Sequence, residues 1–114
     1  MKRGDYVPDR GDVVWLDFTP QTGHEQRGRR PALVVSSAIY NRKTNLALFC
    51  PITSKVKGYP FEVKIRNEDI NGVILADQIK SLDWKARKST LIYKAEKEII
   101  NRVMSLIESL LLDE

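Results

Sequence analysis

The sequence predicts a small antiparallel β domain whose barrel-like sheet packs on one C-terminal helix. Three observations predict it. Short stretches rich in β-branched and aromatic residues recur as far as Ile92. Clusters of Gly, Pro, Asn and Asp separate them. Only the last segment switches to an apolar period of three and four residues, the period of a helix with one buried stripe. Short strands followed by one long helix make a two-layer domain. With 114 residues the chain has material for a single domain, 1–114, around one modest core.

The elements follow in order. VVWLDF (Val13–Phe18) reads as the first strand and ends at Thr19-Pro20. Gly11-Asp12 turns the chain into it. That is a plainer use of Arg10–Asp12 than cell adhesion, although the tripeptide RGD occurs there and at Arg3–Asp5. ALVVS (Ala32–Ser36) is nearly all apolar and reads as a buried strand. A short helix or turn covers Ser37–Lys43. LALFCPI (Leu46–Ile52) is a third strand, and Pro51 should mark an edge or bend at its end. TSKVKGYP (Thr53–Pro60) is a loop punctuated by Gly and Pro. FEVKIR (Phe61–Arg66) alternates apolar and polar, as a strand with one wet face does. Asn67–Gly72 is a turn, Val73–Leu82 contains another strand, and a short one follows near Thr90–Ile92. Ile99, Ile100, Val103, Met104, Ile107, Leu110 and Leu111 then form one stripe on a helix of about Ala95–Leu112, with glutamates near its start to suit the helix dipole.

Composition narrows the function. The chain is 42% hydrophobic and 30% charged, which excludes disorder throughout. No apolar run approaches the roughly 18–20 residues that span a bilayer, and MKRGDYVPDRGD lacks the apolar middle of a signal peptide. A cytoplasmic protein with no membrane partner is expected. Cys50 stands alone, so no internal disulfide forms, and His24 is the one histidine. A nitrogen- and sulfur-ligated metal site is therefore not expected, nor a clustered-carboxylate one, nor any cofactor. Net charge is +4 with a pI near 9.3, which permits a polyanionic partner.

One charged stretch asks for a function. GHEQRGRRP (Gly23–Pro31) lies between two strand-like segments and carries His24, Glu25, Arg27, Arg29 and Arg30. Arginine offers planar paired donors that fit phosphate oxygens. Glu25 can accept a proton, His24 titrates near neutrality, and a hydroxyl such as Thr53 can orient a phosphate oxygen. These are the components of metal-free RNA cleavage through the ribose 2′-OH, with cationic donors stabilising the extra negative charge of the transition state. A solvated charged loop is the plainer alternative. Trp84 either stacks on a base or sits in the core. Asp77 and Gln78 either bond base edges or close a strand end.

Five stretches carry a resemblance: YVPDRGDVVWLDF (Tyr6–Phe18), GHEQRGRRPALVVS (Gly23–Ser36), YNRKT (Tyr40–Thr44), CPITSKVKGYPFEV (Cys50–Val63) and GVILADQIKSLDWKAR (Gly72–Arg87). In order and spacing the chain resembles the MazF toxins of the MazF/PemK/Kid group. The resemblance implies an SH3-like β-barrel, PemK/CcdB-like, mainly β with helices and a C-terminal α-helix, usually a homodimer. It implies the toxin of a toxin–antitoxin pair, an endoribonuclease that cuts single-stranded RNA, often mRNA, sequence-specifically and without metal, and arrests growth. It also implies a MazE-like antitoxin, often with a flexible acidic tail.

Residue by residue, the family's loop glutamate falls on Glu25, its loop arginine before proline on Arg30, and its strand-end threonine on Thr53. His24 matches the histidine of the Kid-like branch, and Asp77 the aspartate of the DQ pair. Leu75 departs from the Kid-like arginine and leans the chain toward the MazF branch. Lys80 stands where MazF proteins carry lysine. Glu25 is the expected base, Arg30 the transition-state stabiliser, because its pKa above about 12 makes it a poor acid, Thr53 an orienting group and His24 the acid. Arg27, Arg29, Lys55, Lys57, Asp77, Gln78, Lys80, Trp84 and Arg87 complete the expected substrate-binding set. An acidic antitoxin peptide is expected in the basic groove near Arg29, Lys55, Lys57 and Arg87. Two other classes share such a barrel: a CcdB-like gyrase poison, which needs no Glu25, Arg30 and Thr53 together, and a non-catalytic SH3-like binding module.

Overall fold

Gly11 adopts a φ of 97°, in the left-handed region that favours glycine, and releases the chain into its first strand. A Cβ there would stand 2.5 Å from Ile100 Cδ1, so the turn also lets the helix close over it. The structure is a computed structural model and describes residues 6–18 and 28–113. In chain order its elements are β1 (Asp12–Asp17), β2 (Arg29–Val34), α1 (Ala38–Thr44), β3 (Leu46–Thr53), β4 (Glu62–Arg66), β5 (Asn71–Leu75), β6 (Lys80–Asp83), β7 (Thr90–Lys94) and α2 (Lys97–Leu112).

The strands pair antiparallel in the order β4-β5-β3-β2-β1-β7. β3 is the hub. One flank holds β2, through Ala32↔Pro51, Leu33↔Cys50 and Val34↔Phe49. The other flank changes partner part-way: β6 pairs with Leu46–Phe49, and β5 with Ile52 and Thr53. That exchange curls the sheet into a half-barrel, and α2 packs on β4. This is the mainly β, SH3-like fold with a C-terminal helix.

Two apolar clusters fill it. One joins Val13, Leu33, Cys50, Ile52, Val63, Ile65 and Ile74 to Val103 and Ile107 of α2. The other joins Val14, Leu16, Ala32, Val34, Ala47 and Phe49 to Trp84. Neighbours in a strand face opposite sides, so β1 and β2 must be apolar on both faces, as their sequences are. Each fully buried aliphatic or aromatic side chain contributes roughly 1.5–3 kcal/mol. Asn41 is buried yet satisfied. Its Nδ2 donates to Pro8 O (2.7 Å) and Ser36 O (3.1 Å), and its Oδ1 accepts from Ser36 Oγ (2.6 Å). Its carbonyl accepts from Trp84 Nε1 at 2.9 Å, which ties α1 to the second cluster.

The structure corrects four expectations. β2 begins at Arg29, not Ala32: Pro31 pairs with Trp15 of β1, and the ladder to β3 ends at Ala32↔Pro51, so the missing proline donor strands no partner. Pro51 lies inside β3, where the flank passes from Phe49↔Lys80 to Ile52↔Ile74 and has no ladder bond to lose. Val73–Leu82 spans two strands, parts of β5 and β6, joined by a turn over 76–79. The apolar stripe of α2 is covered only as far as Ile107. Leu110 and Leu111 remain 42% and 74% exposed on a last turn that has left the core. Asp12 of the second RGD is buried beneath Lys94 Nζ at 3.1 Å, which leaves no adhesion loop there. Among the described residues no helix is long and apolar enough to cross a membrane.

Candidate functional site

Arg30 and Thr53 line the same two clefts. β2 and β3 pair as far as Ala32↔Pro51; Arg30 lies two residues beyond that pair on β2, and Thr53 two beyond it as the last residue of β3. Arg30 is exposed and Thr53 is half-buried. Thr53 pairs with Val73 on its other side. Gly72 makes that approach possible, because a Cβ on it would lie 2.2 Å from Thr53 O. Thr53 Oγ1 accepts a hydrogen bond from Lys55 N at 3.1 Å. Among the described residues nothing accepts its one hydroxyl proton, which can be donated to a ligand oxygen.

Two clefts meet on this pair. One, of about 440 Å³, is bounded by Trp15, Arg30, Thr53, Lys55, Asp69 and Asn71. The other, of about 390 Å³, is bounded by Arg30, Thr53, Lys55, Lys57, Tyr59 and Gln78. Arg30, Thr53 and Lys55 line both. A chain molecule lying across the ridge would pass the guanidinium and the hydroxyl between one cleft and the next. Sequence reasoning had Arg30 in a loop; a strand position fixes its backbone, which a loop would not do.

The loop after β3 is built rather than loose. Glu62 accepts the backbone N–H of Lys57 at Oε2 and of Gly58 at Oε1, each at 3.0 Å. Gly58 has φ 77°. These bonds hold Lys57 and Tyr59 at the mouth of the second cleft. Asp77 stands behind Tyr59, whose hydroxyl donates to Asp77 Oδ2 at 3.3 Å. The carboxylate's charge raises the Tyr59 pKa, so the phenol keeps its proton.

Several residues expected at the substrate make contacts within the fold. Arg29 points to the other side of β2. Its Nη1 pairs with Asp17 Oδ1 at 2.9 Å, and its Nη2 donates to Lys88 O (2.6 Å) and Thr90 Oγ1 (3.1 Å). Arg87 donates from Nη1 to the carbonyls of Asp17 and Phe18, at the end of β1. Both arginines brace the root of the charged loop. Trp84 is 7% exposed, its indole N–H is taken by Asn41, and Lys85 Nζ lies 5.9 Å from its ring. Burial corrects the expectation that it stacks on a base. Lys80 is exposed on β6 opposite Phe49 and lines neither cleft. His24, Glu25 and Arg27 lie outside the described residues.

Cys50 is fully buried, and desolvation, then the charge of Asp77, pushes its thiol up to about 12. It is a core residue, not a nucleophile. Among the described residues no three His, Cys, Asp or Glu side chains converge as a metal site would require. Sequence reasoning missed Trp15, Tyr59, Asp69, Asn71 and Gly72. The signals were weak: Gly72 read as a turn glycine, and Tyr59 as one residue of a Gly-Pro loop.

The chain has clear relatives among known proteins. A family model described as PemK-like, MazF-like toxin of type II toxin-antitoxin system matches residues 9–111. The chain is similar to the endoribonuclease toxin MazF of Escherichia coli strain K12, at 53% identity over 85 residues, 75% of this chain and 77% of that one. It is similar to the endoribonuclease PemK of Escherichia coli at 31% identity over 108 residues, 90% of this chain and 81% of that one. The crystal structure of MazE-MazF (Form-II) from Deinococcus radiodurans superposes with a TM-score of 0.89 and 50% identity, covering 96% of this chain and 100% of that one.

Proposed function

Because this chain belongs to the PemK-like, MazF-like toxins of type II toxin–antitoxin systems and is an endoribonuclease toxin, we propose that it cuts single-stranded RNA, mRNA above all, at specific sequences, by a metal-independent attack of a ribose 2′-OH on the adjacent phosphorus. One observation carries the proposal: Arg30 and Thr53 share the walls of two adjoining clefts with Lys55.

The step divides among four residues. Glu25 takes the 2′-OH proton. The 2′-oxygen forms a bond to phosphorus, and the bond to the 5′-oxygen breaks. A 2′,3′-cyclic phosphate remains on one fragment. His24 returns a proton to the departing 5′-oxygen, so the other fragment begins with 5′-OH. Arg30 binds the non-bridging oxygens as charge builds on them, and such a donor is worth about 10²–10³ in rate. Thr53 donates its hydroxyl proton to the same phosphate and fixes its orientation. DNA has no 2′-OH and is not cut. Lys55, Lys57 and Gln78 hold the strand on either side.

The working form is a cytoplasmic homodimer neutralised by a MazE-like antitoxin. A MazE-MazF complex is known for the Deinococcus protein, and a groove carrying Lys55 and Lys57 suits an acidic peptide that competes with RNA. Bound antitoxin that left RNA affinity unchanged would exclude competition.

The chemistry is tested by incubating the purified protein with a long single-stranded RNA in excess EDTA and analysing the fragment ends. Fragments ending in 2′,3′-cyclic phosphate and beginning with 5′-OH are expected. Intact RNA in EDTA, or 3′-OH ends, would refute the proposed step.

A further inference from the structure

Cleavage at specific sequences requires a base to be held beside the scissile phosphate, and single-stranded RNA offers the face of an unstacked base for this. With Trp84 in the core, the large aromatic side chain exposed in the second cleft is Tyr59, 44% exposed. We infer that Tyr59 is a pre-set stacking platform for one unpaired nucleobase, in the cleft it shares with Arg30 and Thr53. The inference rests on the RNA-cleaving reading and deepens it.

Tyr59 is held from four directions. Its carbonyl accepts from Glu62 N at 3.1 Å. The two backbone N–H groups before it are gripped by the Glu62 carboxylate. Its hydroxyl is tied to Asp77. Its ring meets Phe61 edge-on, with centroids 6.4 Å apart and planes at 62°. The side chain nevertheless keeps 44% of its surface open to a ligand. Two carboxylates and a second ring thus fix a side chain that adds little to the core.

The cost of this arrangement is visible at Asp77. Its Oδ1 is buried and receives no hydrogen bond among the described residues, which is unfavourable for a carboxylate oxygen. A tether that serves binding accounts for retaining it. An aromatic ring already immobilised loses little rotamer freedom when a base lies on it, so more of the stacking free energy appears as affinity. Lys57, two residues earlier, meets the phosphate beside that base. The Gln78 amide, on the same cleft wall, meets its edge.

Two readouts test the platform: steady-state cleavage of one RNA with a mapped site, and sequencing of fragment ends from a mixed RNA pool. Both are run on wild type, Tyr59→Leu and Tyr59→Phe. In Tyr59→Leu, KM rises about tenfold or more while kcat stays within about twofold. The base preference at one position near the cut also flattens, while the others persist. Tyr59→Phe removes one exposed oxygen and leaves the fold intact. It keeps the ring, loses the tether, and raises KM about threefold. Unchanged KM and preference in Tyr59→Leu, or a loss confined to kcat, overturns the platform and leaves the cleavage reading standing. RNA left intact by wild type overturns both. If Tyr59→Leu does not fold, Tyr59→Phe decides through the same KM and preference.

Discussion

Arg30, near the start of β2, and Thr53, the last residue of β3, line the same two clefts, which puts a guanidinium and a hydroxyl on common walls. Arg30 is set by its pairing with Leu16 on β1, and Thr53 by its pairing with Val73 on β5.

If the two groups act on one phosphate, their effects are coupled. Arg30→Lys keeps the charge but loses the two-pronged donor, and kcat falls about 10²-fold. Thr53→Val then costs less on that background than on wild type. A double-mutant cycle of kcat/KM checks this, and strict additivity would mean that the groups serve separate places.

Gly72 places Thr53 without touching substrate. An added methyl would collide with the Thr53 carbonyl and carbonyl carbon, at 2.2 and 2.9 Å. Gly72→Ala is expected to destabilise the fold by about 1–3 kcal/mol through backbone displacement and to lower kcat more than it raises KM. Denaturant melts combined with steady-state kinetics separate the two effects. Full kcat in a folded Gly72→Ala protein would show that Thr53 tolerates displacement.

The proposal separates Lys57, which would meet RNA, from Arg29, which makes contacts within the fold. For an RNA carrying a 2′-deoxy nucleotide at the cut site, Lys57→Ala should reduce the slope of log affinity against log salt by about 0.7. Arg29→Ala should leave that slope unchanged and lower the melting temperature by several degrees, since it loses Asp17, Lys88 O and Thr90. Binding titrations at several salt concentrations distinguish the two, and equal slopes in both variants would reverse the assignment for Lys57.

Asp9 supplies a pH dependence. Its Oδ1 accepts Ala38 N at 2.9 Å at the start of α1, and this bond, more than the nearby cations, holds its pKa below 3.8. A carboxyl whose pKa is depressed on folding stabilises the protein above its unfolded value. That contribution is lost as pH falls through the folded value. Melting temperature should therefore drop below about pH 4 more steeply in wild type than in Asp9→Asn. Parallel curves would mean that the bond contributes nothing.

The periodic elements were legible in the sequence. Val13–Phe18, Leu46–Ile52, Phe61–Arg66 and the terminal helix each announce their period, and the structure contains a strand or helix at each. What escaped depends on partners distant in sequence. The turn over 76–79 contains no Gly or Pro, and Asp77 and Gln78 alone marked a strand end there, an ambiguous sign of the break between β5 and β6. The intrachain acceptors of Arg29 and Arg87, such as Lys88 O and Phe18 O, are defined only by the fold and could not be read from the sequence. Trp84 stood open between core and cleft until Asn41 took its N–H. Tyr59 gained its meaning from Asp77, 18 positions away. Arg30 and Thr53 were singled out in advance by side-chain chemistry and by family resemblance, and their place on the walls of the same two clefts is a property of the fold.

In the proposed step the ribose 2′-oxygen is the nucleophile. Replacing the 2′-OH by hydrogen at the nucleotide just before the cut, in an otherwise unchanged RNA, tests it most directly. Abolished cleavage at that bond, with binding retained, is the predicted result. Cleavage at the normal rate would contradict the account, because the nucleophile would then come from elsewhere.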